Sequence, residues 1–226
     1  MRLHLGTHTF TLTVNDGKGG TAADAVVVTV DDPTPPTLTL STNIVTVTFP
    51  TATMIGASVD LSGVATATDV CDSTVTVSHD APDLFPRGPT VVTFTAANDN
   101  GNFIQDTLIV QVVYEFDGFL PPIETDGLSI FKSGRTLPIK FQLTAADGTL
   151  ITDATANLAV FQIIDENTLQ AVEFGASGSS NIGNLFRFDE DQYIYDLSTR
   201  GFSPGAYLRV VSLNDGTAYS VQVSIR

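Results

Sequence analysis

Tryptophan is absent, cysteine occurs once, and lysine and arginine together number only 10 of 226 residues. Each shortage removes something. The single thiol, Cys71, cannot close an internal disulfide, so the redox compartment has to be read from other features. Against 25 acidic side chains the 10 basic ones leave a formal charge of -15, spread along the chain. That balance argues against DNA, RNA and anionic lipid as partners, because those polyanions need compensating positive charge. It reads mainly as solubility. No run approaches the roughly 18 apolar residues of a membrane-spanning helix, so membrane insertion is not expected. Without tryptophan the commonest platform for stacking on sugar rings is missing. The start of the chain lacks the basic segment, apolar core and cleavage site of a secretory leader. Either export by that route does not occur, or the sequence is the later part of a longer protein.

What is abundant is threonine, valine and glycine in short runs bounded by turn residues. THTFTLTV (7–14), AVVVTV (25–30), TLTLSTNIVTVTF (37–49), TVTVS (74–78), PTVVTFTA (89–96), DTLIVQVV (106–113) and AYLRVVSL (206–213) are rich in β-branched and aromatic residues. Clusters of Asp, Asn, Gly or Pro separate most of them, and strands at this spacing predict all-β sandwiches. A further strand is expected over 57–61. The length suits two domains of roughly 75 and 110 residues, each able to bury a core.

Residues 1–32 hold only two strands. Phe10, Leu12 and Val14 alternate with threonines, Asn15 to Gly20 turns the chain, and Val26, Val28 and Val30 return. LGTHTFTLTVNDGKGGTAADAVVVTV resembles the end of a PKD (polycystic kidney disease) repeat, with Phe10 where tyrosine is usual, and so implies the C-terminal hairpin of a truncated domain. Residues 33–36, Pro-Thr-Pro-Pro, cannot lie inside a ladder and predict a short, semi-rigid linker. Within 37–113, ATATDVCDSTVTVS and FPRGPTVVTFTAANDNGN resemble the HYR (hyalin repeat) module, an immunoglobulin-like sandwich of extracellular proteins. Phe94 and Asp106 stand where later strands of that family often carry cysteine. Over 114–226, the opening FDGFLPP, the run SGRTLPIKFQL and the closing GAYLRVVSLNDGT resemble the PxKF module of bacterial secreted proteins, to which no chemical activity is assigned. The expected fold is therefore a pair of tandem immunoglobulin-like β-sandwiches preceded by an incomplete N-terminal β-hairpin.

No arrangement of catalytic groups stands out. Lys140 alternates with Leu137, Ile139, Phe141 and Leu143 and is expected on the wetter face of its strand, in a structural role rather than in an internal isopeptide bond. Carboxylates gather near domain ends: Asp16 in the first turn, Asp31 and Asp32 at the joint, Asp69, Asp72 and Asp99 in later loops. Calcium wants six to eight oxygens at one point, and Asp31 and Asp32 are the candidate metal ligands, although Asp and Asn are also the ordinary residues of turns. His4, His8 and His79 have no metal-ligand spacing. Cys71, between Asp69 and Asp72, is disfavoured as a thiolate and is expected to be a semi-buried small hydrophobe. GASGSSNIGN (175–184) lacks the Lys-Ser/Thr ending of a phosphate loop. Glu190 and Asp191 beside Tyr193 and Tyr195 suggest sugar recognition, but Tyr193, Tyr195 and Leu197 at period two suit a core-facing strand equally well.

These features point to a non-catalytic modular piece of an exported bacterial cell-surface or secreted protein, acting as spacer, stalk or adhesion module. The alternative is an accessory region of a secreted hydrolase that binds glycan or protein while an upstream domain does the chemistry. Neither is an enzyme in itself. Expected partners are neighbouring modules of a longer chain and protein or glycan at the cell surface.

Overall fold

A computed structural model describes residues 3–124 and 126–226, and among these described residues there are sixteen strands and no helix. In chain order they are β1 (Gly6–Asn15), β2 (Thr21–Val30), β3 (Thr37–Leu40), β4 (Ile44–Thr48), β5 (Ala65–Thr68), β6 (Thr76–His79), β7 (Gly88–Ala97) and β8 (Phe103–Val113). They continue with β9 (Ile130–Phe131), β10 (Thr136–Phe141), β11 (Ala156–Asp165), β12 (Thr168–Ala171), β13 (Arg187–Asp189), β14 (Gln192–Ser198), β15 (Gly205–Leu213) and β16 (Ala218–Ile225). The residues group into two units, one of Met1–Asn43, Leu61–Ala81 and Val92–Leu108, the other of Ile44–Asp60, Pro82–Val91 and Ile109–Arg226.

In the first unit β1 and β2 form an antiparallel hairpin in register from Gly6↔Val30 to Asn15↔Thr21. Its turn is built by side chains: Asn15 Oδ1 accepts from the Gly17 N–H at 2.7 Å, and Asp16 Oδ1 accepts from Lys18 N–H at 2.7 Å and Gly20 N–H at 2.9 Å. Gly17 and Gly19 supply the left-handed φ values of 71° and 98° that the reversal needs. Because pleat alternates, the register collects Phe10, Leu12, Val14, Val26 and Val28 on one face and a ladder of threonines on the other. Toward the turn that face is uncovered, with Leu12 70%, Val14 55% and Val26 56% exposed, while Phe10 and Val28 are half-buried. The same unit pairs β3 with β5 and β6 with the end of β7, and buries Leu61, Val92, Phe94, Ala96 and Leu108.

In the second unit β4 runs parallel to the end of β8, from Ile44↔Ile109 to Thr48↔Val113. The C-terminal part is a sandwich: a five-stranded sheet ordered β12-β11-β15-β16-β9 and a three-stranded sheet ordered β10-β14-β13. Alternation, broken in β14 only by buried Ile194, fills its core. Leu137, Ile139 and Phe141 of β10, Tyr193, Tyr195 and Leu197 of β14, Leu158 and Val160 of β11, Val211 of β15 and Val223 of β16 are all buried. Each contributes roughly 1.5–3 kcal/mol of transfer free energy, offset by the entropy of ordering the chain. Lys140 points away from this layer, half-buried between buried Ile139 and Phe141, as the alternation predicts.

Two expectations fail at the level of single strands. Over 57–61 there is only an isolated bridge between Ala57 and Phe85, closed by two N–H···O bonds of 2.8 Å. The chain approaches there through Gly56, where a Cβ would fall 2.7 Å from the Phe85 carbonyl oxygen, so the backbones meet at a point and diverge. Conversely β5, with sequence ATAT, forms a strand that its low apolar contrast conceals.

The β13–β14 reversal places Glu190 at φ 57°, the only residue other than glycine in the left-handed region among those described. An L side chain is disfavoured there, and glycine is preferred at such a position in a two-residue hairpin loop. Glu190→Gly is expected to raise the midpoint of urea unfolding, by roughly 0.5–1 kcal/mol of stability; a lowered midpoint would show that the Glu190 side chain holds the turn. For the hairpin, amides of Val14 and Val26 should exchange with deuterium well before those of 108–112, and removal of residues 1–30 should leave the melting of the remainder almost unchanged. Equal protection in both regions would show that the hairpin is covered in solution.

Candidate functional site

The proline-rich linker after β2 has an accounting problem. Proline has no N–H to give, and the carbonyls of a short linker have no ladder to join. The structure solves it with side chains. Asp32 is only 4% exposed, an unusual burial for a carboxylate. Its Oδ1 accepts from Thr34 N–H at 3.1 Å and from Thr34 Oγ1 at 2.6 Å, while Oδ2 accepts from Asn98 Nδ2 at 3.2 Å. The Asp32 carbonyl accepts from Asn102 Nδ2 at 2.6 Å, and the Thr34 carbonyl from Asn98 Nδ2 at 3.1 Å. Two asparagine amides thus hold the linker by its backbone and by its one buried charge.

The asparagines are held in turn. Between β7 and β8 the chain reverses with Asn98 N–H to Asn102 O at 3.0 Å and Gly101 N–H to Asn98 O at 3.1 Å, Gly101 taking φ 84°. Asn102 N–H donates to Asn98 Oδ1 at 2.9 Å, which fixes the amide so that Nδ2 faces the linker. Asn98 Nδ2 also lies 3.3 Å from Asp69 Oδ2. Asp69 Oδ1 accepts from the Cys71 N–H at 2.8 Å and the Asp72 N–H at 3.2 Å, and Asp72 Oδ2 accepts from the Asp99 N–H at 2.8 Å. The Cys71 N–H in first place holds the Asp69 carboxyl below its usual range, and the Asp99 N–H does the same for Asp72.

The Asp32 device recurs. In Asp147-Gly148-Thr149, Asp147 Oδ1 accepts from Thr149 N–H at 3.0 Å and Oγ1 at 2.6 Å. In Asp215-Gly216-Thr217 the two distances are 2.9 and 2.6 Å. Asp215 is fully buried, and its Oδ2 accepts from the Tyr114 N–H at 2.8 Å, tying the end of β8 to the β15–β16 turn. Asp-x-Thr is a recurrent closure here, in which one carboxylate satisfies both donors of the threonine.

The candidate ligands separate. Asp32, Asp69 and Cys71 each bring a ligand atom within 4.8 Å of the others, whereas Asp31 is exposed and outside that group. A calcium ion would have two carboxylates and a thiol, short of the six to eight oxygens it seeks, and the oxygens of Asp32 and Asp69 already accept bonds. Asp16 serves the hairpin turn, and Asp99 enters through its backbone alone. Cys71 is exposed rather than semi-buried, because the Asp69 turn uses its N–H and leaves its side chain outside the sheet. His8 Nε2 lies 2.7 Å from the His4 carbonyl, and the His79 ring packs on Phe94.

The sugar platform is closed off. Tyr193 and Tyr195 are 1% and 0% exposed. Tyr193 Oη donates to the Ile151 carbonyl at 3.0 Å and accepts from the Ala154 N–H at 2.8 Å, with burial pushing its pKa up to about 12. Tyr195 Oη donates to the Gly183 carbonyl at 2.9 Å. In the 175–184 loop the amide of Asn181 serves the Leu185 and Ile194 carbonyls, and that of Asn184 the Leu158 carbonyl.

Sequence reasoning took Asn98 and Asn102 for ordinary turn residues. Their role depends on loops 66 and 70 residues away in the chain, and no local signal marks it. It likewise missed Arg87, whose guanidinium stacks over Phe49 at 4.4 Å while its Nη1 pairs with Asp153 at 2.6 Å.

No family model matches the chain, and no curated protein does. Solved structures similar to it are multidomain ectodomains and surface proteins. Domains 3–5 of the extracellular part of Drosophila OTK match at 12% identity and a TM-score of 0.36, over 96% of this chain and 69% of that one. Domains 4 and 5 of the S-layer protein SbsC match at 16% identity and 0.29, over 85% and 98%. The Yersinia pseudotuberculosis adhesin InvE matches at 9% identity and 0.32, over 84% and 58%. These are distant likenesses, and they say nothing of ligand or activity.

Proposed function

We propose that this chain is a non-catalytic run of β-modules from an exported bacterial surface or secreted protein, whose work is to space and orient what it carries and to adhere through exposed loops. The observation that carries the reading is the clasp on the linker. A flexible tether needs no buried carboxylate and no paired amides; a spacer that must keep direction does. Around it, the described residues form strands and turns without a helix, and the tyrosines that suggested a sugar site are spent on the core. The PKD-, HYR- and PxKF-like stretches of the sequence support the same reading. The rival, an accessory region of a secreted hydrolase, keeps protein recognition as its mode, since the stacking platform for glycan is buried.

In this reading Asp32 acts by hydrogen bonding, without calcium. Melting curves in millimolar calcium and in chelator should superimpose; a rise under calcium would place a cation on Asp32 and Asp69 instead.

The clasp itself is tested by Asn98→Ala. Removing the amide leaves the buried Asp32 carboxylate short of a donor, a loss of about 1–3 kcal/mol. Spin labels at Thr11→Cys and Thr107→Cys, in a Cys71→Ser background, should give a narrow distance distribution that broadens in the Asn98→Ala protein. A distribution already broad before that substitution would defeat the spacer proposal. Acid should act likewise. Because the folded carboxyls of Asp69 and Asp72 lie below their ordinary value of 3.8, their contribution is present above that value and is lost as pH falls beneath it. The distribution should therefore stay narrow from neutral pH into the mildly acidic range and broaden only below it.

A further inference from the structure

The core of the C-terminal sandwich holds a charge that no side chain among the described residues neutralises. Arg209 lies in β15 on the buried side of the sheet, with Tyr207, Val211 and Leu213, and is 0% exposed. Its neighbours in register are Val160 of β11 and Val221 of β16. Nη1 donates to the Tyr207 carbonyl at 3.2 Å, and the guanidinium carbon lies 5.9 Å from the centre of the Tyr207 ring. Among the described residues, neither Nε nor Nη2 has an acceptor. Among the described residues the ion pairs use Arg87 and Arg187, and none uses Arg209.

The identity of the two free donors matters. Nε–H and Nη2–H point the same way along one edge of the guanidinium, the fork that arginine uses for two-point recognition of anions. Burial lowers the pKa to about 10, which still leaves the group a cation at neutral pH. Water could cap the N–H groups but brings no charge to offset the cation, and desolvating an unpaired ion is strongly unfavourable. Carboxylates at the surface act only from a distance and do not replace the lost solvation of the buried cation. The counter-charge has to sit at the fork. The register neighbours Val160 and Val221 donate nothing from their side chains, so a tetrahedral oxyanion in this apolar layer would strand its other oxygens. A monatomic anion needs only the two N–H groups and tolerates apolar walls.

We propose that the Nε–Nη2 edge of Arg209 is an internal binding site for a small monovalent inorganic anion, chloride in ordinary media, enclosed between the sheets of the C-terminal sandwich. The site is independent of the spacer reading, and its effect is to tie the stability of this module to halide in the medium.

The test uses the full chain in sodium chloride and in sodium gluconate at matched ionic strength and neutral pH, gluconate being too large to enter the core. The melting temperature should be higher in chloride and rise with the logarithm of its concentration. The chlorine NMR line should broaden with added protein and sharpen again on bromide addition. Arg209→Met, close in length and uncharged, should melt identically in both salts and leave the chlorine line at its free width. Superimposed melting curves for the unsubstituted protein in the two salts would overturn the proposal, and so would equal line broadening by the Arg209→Met protein. If Arg209→Met does not fold, the two-salt comparison and the bromide competition on the unsubstituted chain decide the matter.

Discussion

Everything in this protein depends on the two-residue period of an extended chain. With one cysteine and no helix among the described residues, stability comes from strands that each put one face into a shared apolar layer. Where two sheets close, as in the C-terminal sandwich, the alternation of buried and half-buried residues along β10, β11, β14 and β15 is nearly unbroken. Where no second layer exists, the same alternation creates exposure. The β1–β2 hairpin follows the rule as strictly as β10 does, yet its apolar face meets solvent, because register sets which residues share a face but not what covers it.

Strands alone do not hold modules and joints in place, and here buried carboxylates supply the rest. Asp32, in the linker, and Asp215, in the β15–β16 turn, are both nearly inaccessible and both closed by a threonine two residues on. Each then spends its other oxygen on a donor distant in sequence, Asn98 Nδ2 for Asp32 and the Tyr114 N–H for Asp215. A carboxylate suits this role because it accepts several bonds at once. The local threonine satisfies one oxygen and the remote donor fixes where the turn can lie. The cost of stranding such a group is what makes the attachment specific.

Arg209 is the counterpart on the positive side and lacks such closure. A fully buried guanidinium beside valines costs several kcal/mol if unpaired, of the order of the whole stability of a module. The contrast with Arg87 is instructive: there the guanidinium lies over Phe49 and Tyr114 and finds Asp153, so its charge is paired within the fold.

The sequence by itself determined the class of fold and most of the strands. Alternating β-branched residues, Asn-Asp-Gly turns and a proline cluster are local signals, and local sterics decide them. The same period-two logic correctly turned Lys140 outward and admitted a core position for Tyr193 and Tyr195. It erred where a strand is defined by a neighbour rather than by its own pattern, at 57–61 and in β5, and it passed over β11. The site was hardly legible. Asp32 could be picked out as a carboxylate at a joint, but its burial, the outward placement of Asp31 and Cys71, and the use of Asn98 and Asn102 as clasps depend on segments that meet only when the chain is folded. An asparagine in a turn and an asparagine holding a linker have the same local sequence. Only tertiary structure decides which donor finds which acceptor, because burial makes each unmet polar group costly enough to select one arrangement.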